Sequence, residues 1–78
     1  MPRLRNSKED TIRKEFEGTI RKYMFLRNAN MDKLAGAVGL SRTEMYKRVH
    51  DIYRMRIGEL ERIYDFLLVP KEERIINL

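Results

Sequence analysis

Ile12, Phe16, Ile20, Tyr23 and Met24 recur at spacings of four, four, three and one along the chain. That period lays an apolar stripe along one face of a helix over about residues 8–28, the face expected to become core. Ser7 followed by Asp10 offers a start, with a carboxylate near the positive helix end. Gly18 costs this helix about 1 kcal/mol relative to alanine, which leaves room for a bend or a close contact there. Asn30 is the next cap residue, and a short helix from Met31 to Val38 puts Leu34, Ala35 and Val38 on one face. Gly39 closes it, because glycine enters the left-handed conformation without steric penalty. Leu40 follows as an apolar plug.

Ser41 begins the next helix, and Glu44 three residues later completes a capping box. The helix carries Met45 and Val49 inward and weakens near His50 or Asp51. Ile52 to Arg56 reads as a loop or frayed turn. Ile57, Leu60, Ile63, Tyr64, Leu67 and Leu68 form the stripe of a helix from Ile57 to Leu68. Pro70 suits the first position of a last short helix reaching about Ile75, since proline lacks the amide that goes unpaired there. No strand hairpin, internal repeat or low-complexity tract is legible. The expected class is all-α: a compact bundle of about five helices, with residues 1–6 as a flexible basic arm and 7–78 as one domain.

Composition narrows the chemistry. The chain has 78 residues, enough for one small domain that buries roughly 60% of its unfolded surface and leaves little room for a deep catalytic cavity. With no cysteine and one histidine, His50, neither a thiol nucleophile nor a zinc finger is expected, and no metal or other cofactor. Glu72, Glu73, Asp65 and Tyr64 have no nucleophile or metal partner in prospect, so no enzymatic activity or small-molecule substrate is expected. No apolar run approaches the roughly 20 residues of a membrane span, and no signal-peptide pattern opens the chain. A soluble, cytoplasmic protein is expected.

Charge adds a direction. Seventeen Lys and Arg against twelve Asp and Glu give +5. Residues 1–50 hold twelve basic and six acidic side chains, or +6, and residues 51–78 hold five and six, or −1. The positive field belongs to the first two thirds, which suits a polyanionic partner.

The informative stretch is Met31 to His50, MDKLAGAVGLSRTEMYKRVH. Two short helices about a glycine turn read as a helix-turn-helix over about 31–50. Ala35 is small where the two helices cross, Gly39 turns the chain, and Leu34, Val38, Leu40 and Met45 fill the wedge. Ser41 caps the second helix and leaves its first amides facing outward toward a phosphate.

This stretch resembles the helix-turn-helix of the Cro and phage-repressor family, through Leu34-Ala35, Val38-Gly39-Leu40-Ser41-Arg42 and Met45. Ile57, Leu60, Ile63, Phe66 and Leu67 look like the helix closing that family's bundle. The resemblance implies a lambda-repressor-like fold and sequence-specific binding of double-stranded DNA by a transcription regulator of phage or prophage type, in a bacterial host cell. Three departures stand out. Arg48 occupies a position where many members carry an aliphatic or tryptophan side chain. The glycine and proline common after the second motif helix are missing, and Met31 replaces a common glutamine.

At 100° per residue, Arg42, Thr43, Tyr46, Lys47 and His50 fall within an arc of about 140°, opposite Met45, Val49 and Ile52. This outward set is the expected major-groove face of a recognition helix at about 42–50. Arg42 could pair bidentately with guanine, Thr43 and Tyr46 could meet a thymine methyl or a phosphate, and Lys47 suits a phosphate. Asn30 and Ser41 position the backbone. His50 is either a contact or a cation at the helix end. Arg48, four residues after Glu44, is expected in an intrahelical salt bridge. Arg3 and Arg5 are candidates for an adjacent minor groove. A homodimer through Ile75, Ile76 and Leu78, with exposed positions of the Ile57–Leu68 helix, would suit a palindromic operator, unless this tail folds back on its own bundle. The alternative is a protein-interaction module on the same scaffold, holding a polymerase, a repressor or a defence protein.

Overall fold

The long stripe of the first segment winds into α1, Lys8–Leu26, in the computed structural model, which describes residues 8–75. Phe16, Ile20, Tyr23 and Met24 are its buried face. The helix runs unbroken through Gly18, and nothing lies within 4 Å of where a Cβ would stand, so no close contact calls for the glycine. It ends two residues earlier than expected because Asn28 turns into the left-handed region at φ 56°, with the Ala29 amide reaching back to the Met24 carbonyl at 2.8 Å. Asparagine tolerates that conformation better than most side chains.

Helix α2, Met31–Val38, starts at Asn30, whose side chain accepts from the Lys33 amide at 2.8 Å. Gly39 at φ 88° closes it, and the amides of Gly39 and Leu40 both return to the Ala35 carbonyl, at 2.8 and 2.9 Å. That turn aims the chain into α3, Arg42–His50, which packs against α2 and α1 through Met45 and Val49. Ser41 Oγ accepts from the Glu44 amide at 3.2 Å, one half of the expected capping box. The Glu44 carboxylate does not complete the other half; it turns to Arg48 and Lys47.

Residues 52–56 are more ordered than a frayed turn. Ile52–Arg54 forms a single 3-10 turn capped by Asp51, and Ile52 is buried. Helix α4, Ile57–Leu67, contributes Leu60, Ile63, Tyr64 and Leu67 to the core. Phe16 and Tyr64 meet edge to face, with centroids 6.2 Å apart, where α1 crosses α4. Two residues expected on its stripe stay outside. Ile57 is the first helical residue, off the inward arc, and Leu68 takes the left-handed C-terminal position at φ 54°. Phe66, next to the buried Leu67, is also exposed.

Among the described residues there are four α-helices where about five were expected. The missing one is the segment after Pro70, which makes only a 3-10 turn at Lys71–Glu73. A helix of one and a half turns gains too few hydrogen bonds to offset nucleation, and here its groups are taken by tertiary partners. The Ile75 amide donates to Tyr64 Oη at 3.3 Å, Arg74 Nε donates to the Val69 carbonyl at 2.9 Å, and Glu73 accepts from Tyr23 Oη at 2.6 Å and Lys22 Nζ at 3.1 Å. Ser7 and the arm residues Arg3 and Arg5 lie outside the described residues, as do Ile76 and Leu78. No described helix is long and apolar enough to cross a membrane.

Candidate nucleic-acid interface

Met45 and Val49 are each 0% exposed, and this pair fixes the rotation of α3 about its axis. A helix anchored at positions four apart must present the opposite arc outward. Arg42, Thr43, Tyr46, Lys47 and His50 are all exposed there, with the Arg42 and Lys47 side chains 73% and 53% accessible. The Leu34, Ala35 and Val38 face of α2 and the turn at Gly39 hold α3 against the body of the bundle.

Four of the five outward side chains have a definite neighbour. Arg42 Nε lies 3.6 Å from Asp32 Oδ1 in the first turn of α2. Lys47 Nζ lies 3.9 Å from Glu44 Oε2, a loose pair on an exposed surface. Tyr46 and His50 meet edge to face with centroids 4.5 Å apart. His50 Nδ1 sits 3.1 Å from Glu17 Oε1 on α1, so the His50 ring is turned toward α1, and Arg21 holds the other oxygen of the same carboxylate at 2.9 Å. Asn30 and Ser41 are both exposed, each with its side-chain oxygen spent on its own cap.

Several participants were not legible in sequence. Arg54 follows α3 on the 3-10 turn and, with Tyr46, Lys47, His50 and Asp51, lines a shallow depression at the C-terminal end of the outward face. Its position depends on residues 52–54 being an ordered turn, which the sequence pattern did not signal. Asp51 holds that turn to α1: it accepts from Arg13 Nε at 2.8 Å and from the Tyr53 amide at 3.1 Å. The Arg13 hydrogen bond is the main reason its carboxyl is held below the usual aspartate range, against the opposing effect of partial burial. Glu44 is likewise lowered, first by its hydrogen bond from Arg48 and then by the nearby Lys47 charge.

Arg48 faces the bundle as expected. Its Nη1 reaches Glu44 Oε1 at 2.6 Å, and its Nε lies 3.1 Å from Glu59 Oε1 on α4. A basic residue thus occupies a position usual for an apolar one by borrowing carboxylates from two helices.

Two of the acidic residues near the C-terminus have partners within the fold. Glu73 is engaged by Tyr23 and Lys22, and Arg74 Nη2 lies 3.5 Å from Asp65 Oδ1. No group of three or more His, Cys, Asp or Glu side chains among the described residues is placed to share a metal ion.

Comparison with known families accounts for this arrangement of helices. The model of the Cro/C1-type HTH DNA-binding domain matches residues 19–72, from within α1 through α4 and into the 3-10 turn that follows. No curated protein and no solved structure matches the chain. The family match takes in well over half of the 78 residues and the whole of the α2–Gly39–α3 unit, and the chain belongs to the Cro/C1-type HTH DNA-binding domain family.

Proposed function

We propose that the domain is a sequence-specific transcription regulator of the phage and prophage Cro type that lays α3 in the major groove of duplex DNA. The observation that carries this reading is the outward arc of α3: Arg42, Thr43, Tyr46, Lys47 and His50 are exposed opposite the buried Met45 and Val49, in a chain of a DNA-binding family. Arg42, at the first position of α3, reads a guanine edge with its guanidinium fork, a contact that discriminates by about 1–3 kcal/mol. Thr43 and Tyr46 meet neighbouring base edges or a thymine methyl. Lys47 neutralises a phosphate, while Asn30, Ser41 and the first amides of α2 and α3 set the register along the backbone. His50, tied to Glu17, steadies the Tyr46 ring beside its base.

One nine-residue helix reads only a few base pairs, so a homodimer on a palindromic operator follows, built on Ile75, Ile76 and Leu78. Arg3 and Arg5 reach an adjacent minor groove. Selection of bound duplexes from a random pool, followed by fluorescence anisotropy in rising salt, tests the reading. A consensus with two-fold symmetry is expected, with affinity lost in Arg42→Ala/Lys47→Ala. Unchanged affinity of that double variant for the selected duplex refutes the assigned face.

A second reading draws on the C-terminal ends of α1 and α4. Phe25 is 84% exposed, Leu26 55% and Leu68 65%. Arg27 donates to the carbonyls of Leu67 and Leu68 at 2.8 and 3.1 Å, which brings the ends of α1 and α4 together. Clustered exposed apolar side chains suit a protein partner such as a polymerase, a repressor or a defence protein. The same selection discriminates: a pool that yields no enriched sequence favours this module.

A further inference from the structure

Arg42 stands in an unfavourable place for a cation. It is the first residue of α3, where the helix macrodipole presents its positive end. The carboxylate that offsets this comes from another helix. Asp32, the second residue of α2, puts Oδ1 3.6 Å from Arg42 Nε. Asp32 is itself favourably placed at the N-terminal end of its own helix. The two first turns are held in fixed relation by the Gly39 turn and by the buried Leu34, Ala35, Val38 and Met45.

The contact engages Arg42 from one side only. The 3.6 Å approach is at Nε, an ion pair longer than a hydrogen bond. A guanidinium is a planar fork of five donors, so a partner at Nε orients the plane and leaves the fork end forward. The other outward cations differ. Lys47 is paired within α3, to Glu44, and Arg54 within its own turn, to Asp51 at 3.7 Å. Among the described residues, Arg42 alone of the α3 cations on this face is oriented by α2.

We infer that Asp32 is a positioning residue for base readout: it aims the fork of Arg42, and its negative charge beside the phosphates lowers affinity for duplexes in which Arg42 finds no guanine. This rests on the DNA-binding reading above. In water an exposed pair of this kind is weak. Docking excludes water from it, and the same separation then counts for more. A duplex with guanine at that site satisfies both groups. One without it leaves Asp32 facing phosphate charge with its partner unsettled, so discrimination is gained at the expense of general affinity.

The test uses the consensus duplex, a duplex changed only at the position whose preference collapses in Arg42→Ala, and a scrambled duplex. Dissociation constants by anisotropy are measured for the wild type, Asp32→Asn, Asp32→Ala, Arg42→Ala and Asp32→Ala/Arg42→Ala, with thermal melts to establish folding. The wild type is expected to prefer the consensus about ten-fold over the single change. Both Asp32 variants should retain less than three-fold of that preference while binding the scrambled duplex several-fold more tightly. In the Arg42→Ala background, removing Asp32 should leave the remaining preference unchanged. A preference within two-fold of wild type in the folded Asp32 variants overturns the inference while DNA binding stands. So does an equal loss in the Arg42→Ala background. A wild type that enriches no sequence refutes the DNA reading itself and this inference with it.

Discussion

Arg48 Nε on α3 lies 3.1 Å from Glu59 Oε1 on α4, with the two side chains only 19% and 10% exposed. The Nε–H is not aligned for a hydrogen bond, so at this atom the link is an ion pair. Glu59 Oε1 also accepts from the Arg56 amide at 3.0 Å, which closes the start of α4. One carboxylate therefore caps a helix and anchors a cation beneath the candidate reading helix. Removing Arg48 leaves a nearly buried acid facing the core edge. We predict that Arg48→Ala destabilises the fold by about 1–3 kcal/mol. Arg48→Met/Glu59→Gln should recover more than half of that loss, as read from urea midpoints.

Leu68 ends α4 at φ 54°, a left-handed conformation that costs a leucine about 1 kcal/mol, while its side chain is 65% exposed. Its carbonyl, which accepts from Arg27, survives any substitution. Leu68→Gly is expected to raise stability by about 0.5–1 kcal/mol, and Gly39→Ala, at φ 88°, to lower it by about 1–2 kcal/mol. Thermal denaturation of the two variants checks the opposite signs.

Gly18 sits in the middle of α1 with open space where a Cβ would go. Gly18→Ala should therefore stabilise by up to about 1 kcal/mol. A loss of stability there would mean that α1 needs a flexibility its unbroken hydrogen-bonded course does not show.

Three carboxylates lie below their ordinary range: Asp51 chiefly through Arg13, Glu44 through Arg48, and Glu73 through Tyr23 and then Lys22. A group whose folded-state value is depressed adds stability above its unfolded value, and that stability is lost as pH falls through the folded one. Stability should therefore hold from neutrality down to about pH 5 and fall as pH drops through about 4 and below. Asp51→Asn should give a shallower acid decline, measured as urea midpoint against pH.

Much of the architecture could be read from residue order because it is local. The spacing from Phe16 to Met24, the Asn30 cap, the Gly39 turn and the inward Met45 and Val49 each depend on neighbours within one or two turns. What escaped the reading depends on distant partners. The segment after Pro70 carries an adequate helix signal, but Tyr23, Lys22 and Tyr64 claim its polar groups from α1 and α4. Leu68 fits an apolar stripe by periodicity and instead ends the helix. At the candidate interface, the outward arc of α3 follows from helix geometry alone. The acids beside α3, Asp32 at Arg42, Glu17 at His50 and, on its bundle side, Glu59 at Arg48, come from other helices, and nothing in their local sequence marks them.

The most direct test of which face meets DNA is a two-dimensional amide NMR titration of the labelled protein with its selected duplex. Shift changes should concentrate at Asn30–Lys33 and Ser41–Arg54, with Phe25, Leu26 and Leu68 unchanged. Changes centred on Phe25, Leu26 and Leu68, with the outer face of α3 silent, would contradict it.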